Sequence, residues 1–239
     1  MPTIGHGSAT GARLRASDRR VKIILTGATG FVGGEVLRQL LVHAEVTGVT
    51  ALTRRPLGVT HPKLTSVIHE DFAAYSERLL ASLADHGGCI WTLGGKASDF
   101  DSPTEYERVT HGFTVALARG MAPRAAFSFC YLSGMGADPS ESGRFPWERM
   151  TRHLKGRTER DLAALSAEHP RFASYAFRPG GILPANGSAL VQRLLSPWVV
   201  RVDVLGAAMI EVAVRGHHRR TIPNGEIKTI AGGASAYRL

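Results

Sequence analysis

Thr26-Gly27-Ala28-Thr29-Gly30-Phe31-Val32-Gly33 decides the reading of this 239-residue chain. The stretch follows Val21-Lys22-Ile23-Ile24-Leu25, a short apolar run with the profile of a buried parallel strand. Beyond it, Val32, Val36, Leu37, Leu40 and Leu41 recur at helical spacing as far as His43. Glycines at every third position, where a strand gives way to a helix, suit a dinucleotide. The first lets the chain turn sharply, the second lets the backbone approach a pyrophosphate, and the third lets helix and strand pack closely. The helix N-terminus then offers free N–H groups and a positive dipole end. Gly27, Thr29, Gly30, Phe31 and Val32 are therefore expected to bind a cofactor. The competing reading is a tight βα turn in a protein that has lost its ligand.

The second strand, from about Val46 to Leu52, bears on which dinucleotide. An NAD site usually offers an acid there to the ribose 2′-hydroxyl. This chain has Ala51-Leu52-Thr53-Arg54-Arg55 and no acid between Val46 and His69. Two guanidinium forks suit a 2′-phosphate, so Arg54 and Arg55 point to NADP(H), against the alternative of a solvated loop. Asp71, just after a weaker strand at Leu64 to Ile68, is counted with the cofactor residues.

Further along, helices are expected at Ala73 to His86, at Thr104 to Arg119 with Pro103 just before it, at Trp147 to Ala167 and at Val202 to Arg215. Strands are expected at Cys89 to Leu93, Ala126 to Ser133, Phe172 to Arg178 and Glu226 to Ile230, with Gly180 to Ser188 as loop. This alternation predicts an α/β fold: a doubly wound parallel sheet of the Rossmann type. Residues 21–239 are read as one such domain, with a small substrate-side cap after Pro179.

The bulk composition fits a globular protein: 44% hydrophobic and 21% charged residues. No stretch approaches the roughly 20 apolar residues that span a bilayer, and no secretory h-region opens the chain. The net charge is +9. Residues 1–20 are read as a disordered basic leader, in which Arg13, Arg15, Arg19 and Arg20 face only Asp18. The expected compartment is the cytoplasm, with mitochondrial targeting by this Arg- and Ser-rich segment as the alternative. Scattered basic residues with few aromatic neighbours disfavour nucleic acid as a partner. A small-molecule substrate is expected, and a homodimeric assembly is left open. Cys89 and Cys130 lie in apolar strands as small hydrophobes. No His-Glu-x-x-His or comparable spacing occurs, so no metal is expected. His217-His218, among Arg215, Arg219 and Arg220, reads as a solvated helix end.

The glycine stretch resembles the fingerprint of extended and atypical short-chain dehydrogenases/reductases. Four more segments add to the likeness. Trp91-Thr92-Leu93-Gly94-Gly95 is similar to the family's segment along the cofactor, and Tyr131-Leu132-Ser133-Gly134-Met135-Gly136-Ala137 to its serine strand. Lys155-Gly156-Arg157-Thr158-Glu159 is similar to its lysine helix, and Arg178-Pro179-Gly180-Gly181-Ile182-Leu183 to the following loop. Over roughly residues 21 to 230 the chain looks most like the Tat-interacting-protein-like branch of atypical members. The resemblance implies a Rossmann fold, NADP(H) and cofactor contacts from Leu93, Gly94, Gly95, Lys155, Arg178, Pro179 and Gly180.

It also implies a serine, a tyrosine and a lysine as catalytic groups. The tyrosine exchanges a proton with the carbonyl oxygen, the lysine holds the ribose and lowers the tyrosine pKa, and the serine positions the oxygen. Ser133 and Lys155 match, each against an ordinary strand-end or surface reading. The position four before the lysine is Thr151, a poor acid and a short side chain. Tyr131 could share a face with Ser133, although a tyrosine in such a strand usually serves the core. The expected function is reduction or oxidation of a small carbonyl or alcohol. The alternatives are a non-redox isomerase, dehydratase or cyclase, whose pocket Asp99, Asp101 and His111 could line, or a nucleotide-binding regulator.

Overall fold

The computed structural model describes residues 20–124, 126–143, 148–187 and 194–236. Leader residues 1–19, Trp147 and Ser188 lie outside those residues. The chain runs β1 (Val21–Thr26), α1 (Phe31–Val42), β2 (Val46–Thr53), β3 (Leu64–Ile68), α2 (Glu77–Ser82) and β4 (Gly88–Trp91). After α3 (Pro103–Glu107) a π-helical turn at Arg108–Gly112 leads into α4 (Phe113–Met121). Then come β5 (Phe127–Leu132), α5 (Arg149–Glu168), β6 (Phe172–Arg178), β7 (Gly181–Leu183) and β8 (Val199–Arg201). The described chain closes with α6 (Val202–Arg215), β9 (Thr221–Pro223) and α7 (Asn224–Ala236).

Seven strands form one sheet in the order β3-β2-β1-β4-β5-β6-β9, every pair parallel. Both faces are covered, as such a sheet requires. Alternation along β1 divides the core. Ile23 and Leu25 pack with Val36 and Leu40 of α1, Met209 of α6 and Ile227 of α7. Ile24 faces the other layer with Leu80 of α2, Leu117 of α4 and Leu162 of α5. The chain moves outward from β1 to β3 and then crosses back to β4. This reversal opens a crevice between β1 and β4 at their C-terminal ends, where ligands bind in such sheets.

Several expectations need correction. The helix expected over Ala73 to His86 is confined to Glu77–Ser82. Phe72 is used in a turn beneath the sheet, and Ser76 caps the helix by accepting the Leu79 N–H. The strand expected at Glu226 to Ile230 is part of helix α7, and the last strand is β9. Ile227, Ile230 and Ala231 are β-branched or small, but their spacing of three and four places all three on the packed face. Within the expected loop Gly180 to Ser188, Gly181–Leu183 pairs with Val199–Arg201 as a two-stranded ribbon. Among the described residues after Pro179, Gly180, Gly181 and Ile182 line the cleft, and these form the cap expected there. Helices α6 and α7 belong to the Rossmann layer that packs against α1. Pro103 is the first residue of α3, inside the helix that Ser102 caps.

Candidate functional site

A cleft of about 820 Å³ opens at the C-terminal ends of β1, β4, β5 and β6. Its wall begins with the glycine loop. Gly27 has φ +72, and a Cβ placed on Gly33 would lie 2.0 Å from the Gly27 carbonyl oxygen. Thr92 at the end of β4 donates its hydroxyl to the Thr26 carbonyl at 2.6 Å, tying the two strand ends together. Gly30 is the N-cap of helix α1, which has no side-chain cap and no acid in its first turn. Its first N–H groups are therefore available to an anion.

Gly30, Phe31, Val32, Leu93, Gly94, Gly95, Tyr131, Ser133, Thr151, Lys155, Pro179 and Gly180 all line this cleft. Gly27, Thr29, Arg54, Arg55, Asp71 and Arg178 do not. Gly27 lies behind the lining, against Thr92. Arg54 and Arg55 are exposed at the end of β2, and the Thr53 hydroxyl fixes their loop by donating to the Arg55 carbonyl at 2.8 Å. Asp71 is exposed and caps its own turn by accepting the Ala73 N–H at 3.0 Å.

Lys155 and Thr151 stand one turn apart on α5. The Lys155 ammonium donates to the Ser133 carbonyl at 2.9 Å. Burial pushes its pKa down to about 8, against the opposing pull of Glu148 and Glu159. The Thr151 hydroxyl accepts the Ala97 N–H at 3.1 Å, so it holds the loop after β4. The Tyr131 phenol is buried, makes no hydrogen bond, and is pushed up by burial.

Ser133 differs from a free positioning hydroxyl. It donates to Glu159 Oε1 at 2.5 Å. Arg178 Nε lies 2.9 and 3.1 Å from the two oxygens of Glu159, and Arg178 Nη2 also donates to Oε2. The Ser133 proton is thus directed to a buried carboxylate, and Arg178 is a clamp beneath the cleft. Glu159 went unassigned in the sequence, although it follows Lys155 by four residues and so shares its helix face.

Two hydroxyl side chains in the helix over the cleft were also missed. Tyr106 is buried and donates to the Gly95 carbonyl at 3.3 Å. Thr110 lines the cleft from the π-helical turn, which has no sequence period to announce it. Asp99 lines the cleft and accepts the Lys96 N–H at 2.8 Å. His111 instead pairs with Asp161 at 2.8 Å, and neither it nor Asp101 lines the cleft. Lys96 and Glu148 form an ion pair of 3.3 Å at its edge. A second cleft, of about 530 Å³, shares no residue with the first. Two of its cations, Arg38 and Arg201, are already paired with Glu35 and Asp203.

No family model matches the chain. It is 29% identical over 216 residues to "Protein fmp52, mitochondrial" of Aspergillus clavatus, covering 81% of this chain and 87% of that protein. Proteins of that name from other fungi also match, each called mitochondrial. These names overturn the cytoplasmic expectation and point to mitochondria. Among solved structures, the Bordetella bronchiseptica enzyme WbmF in complex with NAD+ superposes with a TM-score of 0.67 at 14% identity, over 91% of this chain and 78% of that one. The PhqB reductase domain of Penicillium fellutanum gives 0.61 at 20% identity, over 86% and 67%. At such identities the likeness is one of fold. With the strand order, the glycine loop and the crevice it lines, the chain has a doubly wound Rossmann fold, the fold it shares with these enzymes.

Proposed function

We propose that this chain is a mitochondrial NADP(H)-dependent oxidoreductase acting on a small carbonyl or alcohol. One observation carries the reading. A cradle that a single Cβ would fill leads into an uncapped helix N-terminus, and both share a cleft with Lys155. These residues fit a nicotinamide dinucleotide. The α1 N–H groups would hold the pyrophosphate, Arg54 and Arg55 a 2′-phosphate, and Leu93, Gly94 and Gly95 the adjoining wall. A bound nicotinamide supplies or accepts the hydride. Lys155, which lines the same cleft, would offer its positive charge to the ribose and the reacting oxygen. Ser133, whose hydroxyl hydrogen is directed at Glu159, can only accept a hydrogen bond from that side of the cleft. The test is NADPH oxidation against a panel of small carbonyls. Turnover of at least one of them is expected, and tight NADPH binding with no turnover at all would count against reduction.

Replacing both Arg54 and Arg55 by Met is expected to lower NADPH affinity about 10- to 100-fold, the loss of charge-assisted bonds worth ~1.5–3 kcal/mol. NADH affinity should hardly change. Calorimetric titration of both nucleotides reads the difference, and equal losses for the two would remove the 2′-phosphate assignment.

Lys155 predicts a pH dependence. Its charge is complete well below pH 8 and is lost as pH rises through about 8. Reductive kcat/KM should therefore fall on the alkaline side of that value, and Lys155→Met should abolish the limb along with most of the rate. For folding the sign is reversed. The folded amine gives up its proton before the unfolded one, so Lys155 adds stability as pH rises from about 8 toward the ordinary lysine range.

Thr151 favours a second reading. With its hydroxyl tied to Ala97 and the Tyr131 phenol buried without a hydrogen bond, a non-redox enzyme or a nucleotide-gated binding protein on this fold accounts for the same cleft. Product formation without nucleotide, or partner capture that responds to NADPH, would select it.

A further inference from the structure

Three side chains gather beside β9. His217 and His218 follow the C-terminal end of α6, and Glu226 stands in the first turn of α7. One ligand atom from each lies within 4.8 Å of the others, the only such histidine–carboxylate group among the described residues. Nε2 of His217 is 3.6 Å and Nε2 of His218 is 3.8 Å from the same Glu226 Oε1. Both separations are too long for hydrogen bonds. They are close to the edge of roughly 3.4 Å between ligands held tetrahedrally at 2.0–2.1 Å from one ion.

The surroundings leave these atoms disposed for that use. Arg219 Nη1 donates to Glu226 Oε2 at 3.2 Å, so Oε1 is the oxygen turned toward the histidines. His217 Nδ1 lies 3.4 Å from the Arg219 carbonyl and 3.2 Å from the Arg219 N–H. The Arg219 N–H donates to Nδ1; binding an ion through Nε2 takes the other tautomer, with the proton on Nδ1, which exchanges that bond for one to the Arg219 carbonyl. This is the outer-shell arrangement of a metal-ligating histidine. His217 and Glu226 are each 16% exposed while His218 is 74% exposed, giving a site with a protected floor and an open side. The neighbouring cations have partners of their own. Arg215 pairs with Glu45 and Glu211, and Arg220 stacks on Tyr175.

We propose that His217, His218 and Glu226 bind one divalent transition cation of the zinc class, with water completing its shell. Two imidazoles and one carboxylate suit zinc, nickel or copper better than calcium or magnesium, which prefer oxygen. The ion would join the end of α6 to the start of α7 around the edge strand β9. Two residues before Glu226, Asn224 accepts the Gly180 N–H at 3.1 Å and so supports the wall of the cleft. The site is a staple, separate from the nucleotide cradle. It departs from the expectation of no metal because its ligands follow a His-His-x7-Glu spacing that no common motif describes.

The test is titration of the untagged, metal-stripped full chain with cobalt(II), followed by displacement with zinc. One saturable equivalent with visible d–d bands is expected, lost on adding zinc. His217→Ala and Glu226→Gln should each weaken binding more than about 10-fold, the scale of losing even an outer-shell partner. Zinc should raise the Tm of the wild type and not of either variant. Unchanged NADPH affinity would show that both variants fold. Absence of a saturable equivalent, or cobalt binding indifferent to both substitutions, would overturn the proposal.

Discussion

Gly33→Ala is expected to abolish nucleotide binding and to lower the Tm by roughly 3–10 °C. The added methyl would sit 2.0 Å from the Gly27 carbonyl oxygen and 2.5 Å from its carbon. Both are backbone atoms of the cradle itself, so no side chain can swing aside. Either the loop opens or α1 retreats from β1. Overpacking of this kind costs ~1–3 kcal/mol, and each kcal/mol shifts Tm by ~2–4 °C in a domain of this size. The functional loss should exceed the stability loss, because the same displacement moves the N–H groups that would meet a pyrophosphate. Gly34→Ala is the control. Its methyl would meet the Ala28 carbonyl at an ordinary 3.5 Å, and alanine in a helix is favoured over glycine by ~0.5–1 kcal/mol. Calorimetry on the two variants should separate them sharply. A Gly33→Ala protein with native NADPH affinity would place the nucleotide elsewhere.

The second large effect is expected at Glu159. Glu159→Leu leaves the Arg178 guanidinium without its carboxylate and Ser133 without its acceptor, both beneath the cleft. Removing one partner of a buried pair costs ~3–5 kcal/mol. Arg178 keeps about a quarter of its side chain exposed, so a loss near the lower end, ~3 kcal/mol, is expected. The double variant Glu159→Leu with Arg178→Met should recover part of that loss, since the uncompensated charge is gone. Urea unfolding of the two singles and the double reads the coupling. Additive losses would mean that the pair acts through separate contacts. Glu159→Gln is the gentler probe. It retains an acceptor for Ser133 and should cost less than the leucine variant.

The sheet was legible because its signals are local and periodic. The strand at Val21–Thr26, the helix from Phe31 and the strand at Phe172–Arg178 follow from apolar runs, glycine breaks and 3.6-residue spacing. The errors share a cause. Glu226 to Ile230 carries β-branched residues, yet packing of Ile227 and Ala231 against the layer of α6 fixed a helix there. At Phe72 a buried aromatic served a turn instead of a helix face. In the site, the segments that line the cleft could be read because each follows a strand. The Ser133–Glu159–Arg178 network could not, since its members lie on three elements and meet only across the layer between β5, α5 and β6. His217, His218 and Glu226 were equally hidden, as they come together only when β9 folds back into α7.

On the proposed function, the crevice between β1 and β4 holds a nicotinamide dinucleotide, with NADPH preferred. Isothermal titration of the full chain with NADPH and, separately, NADH tests it most directly. One saturable site per chain is expected for NADPH, with weaker binding of NADH. No saturable binding of either nucleotide would contradict it.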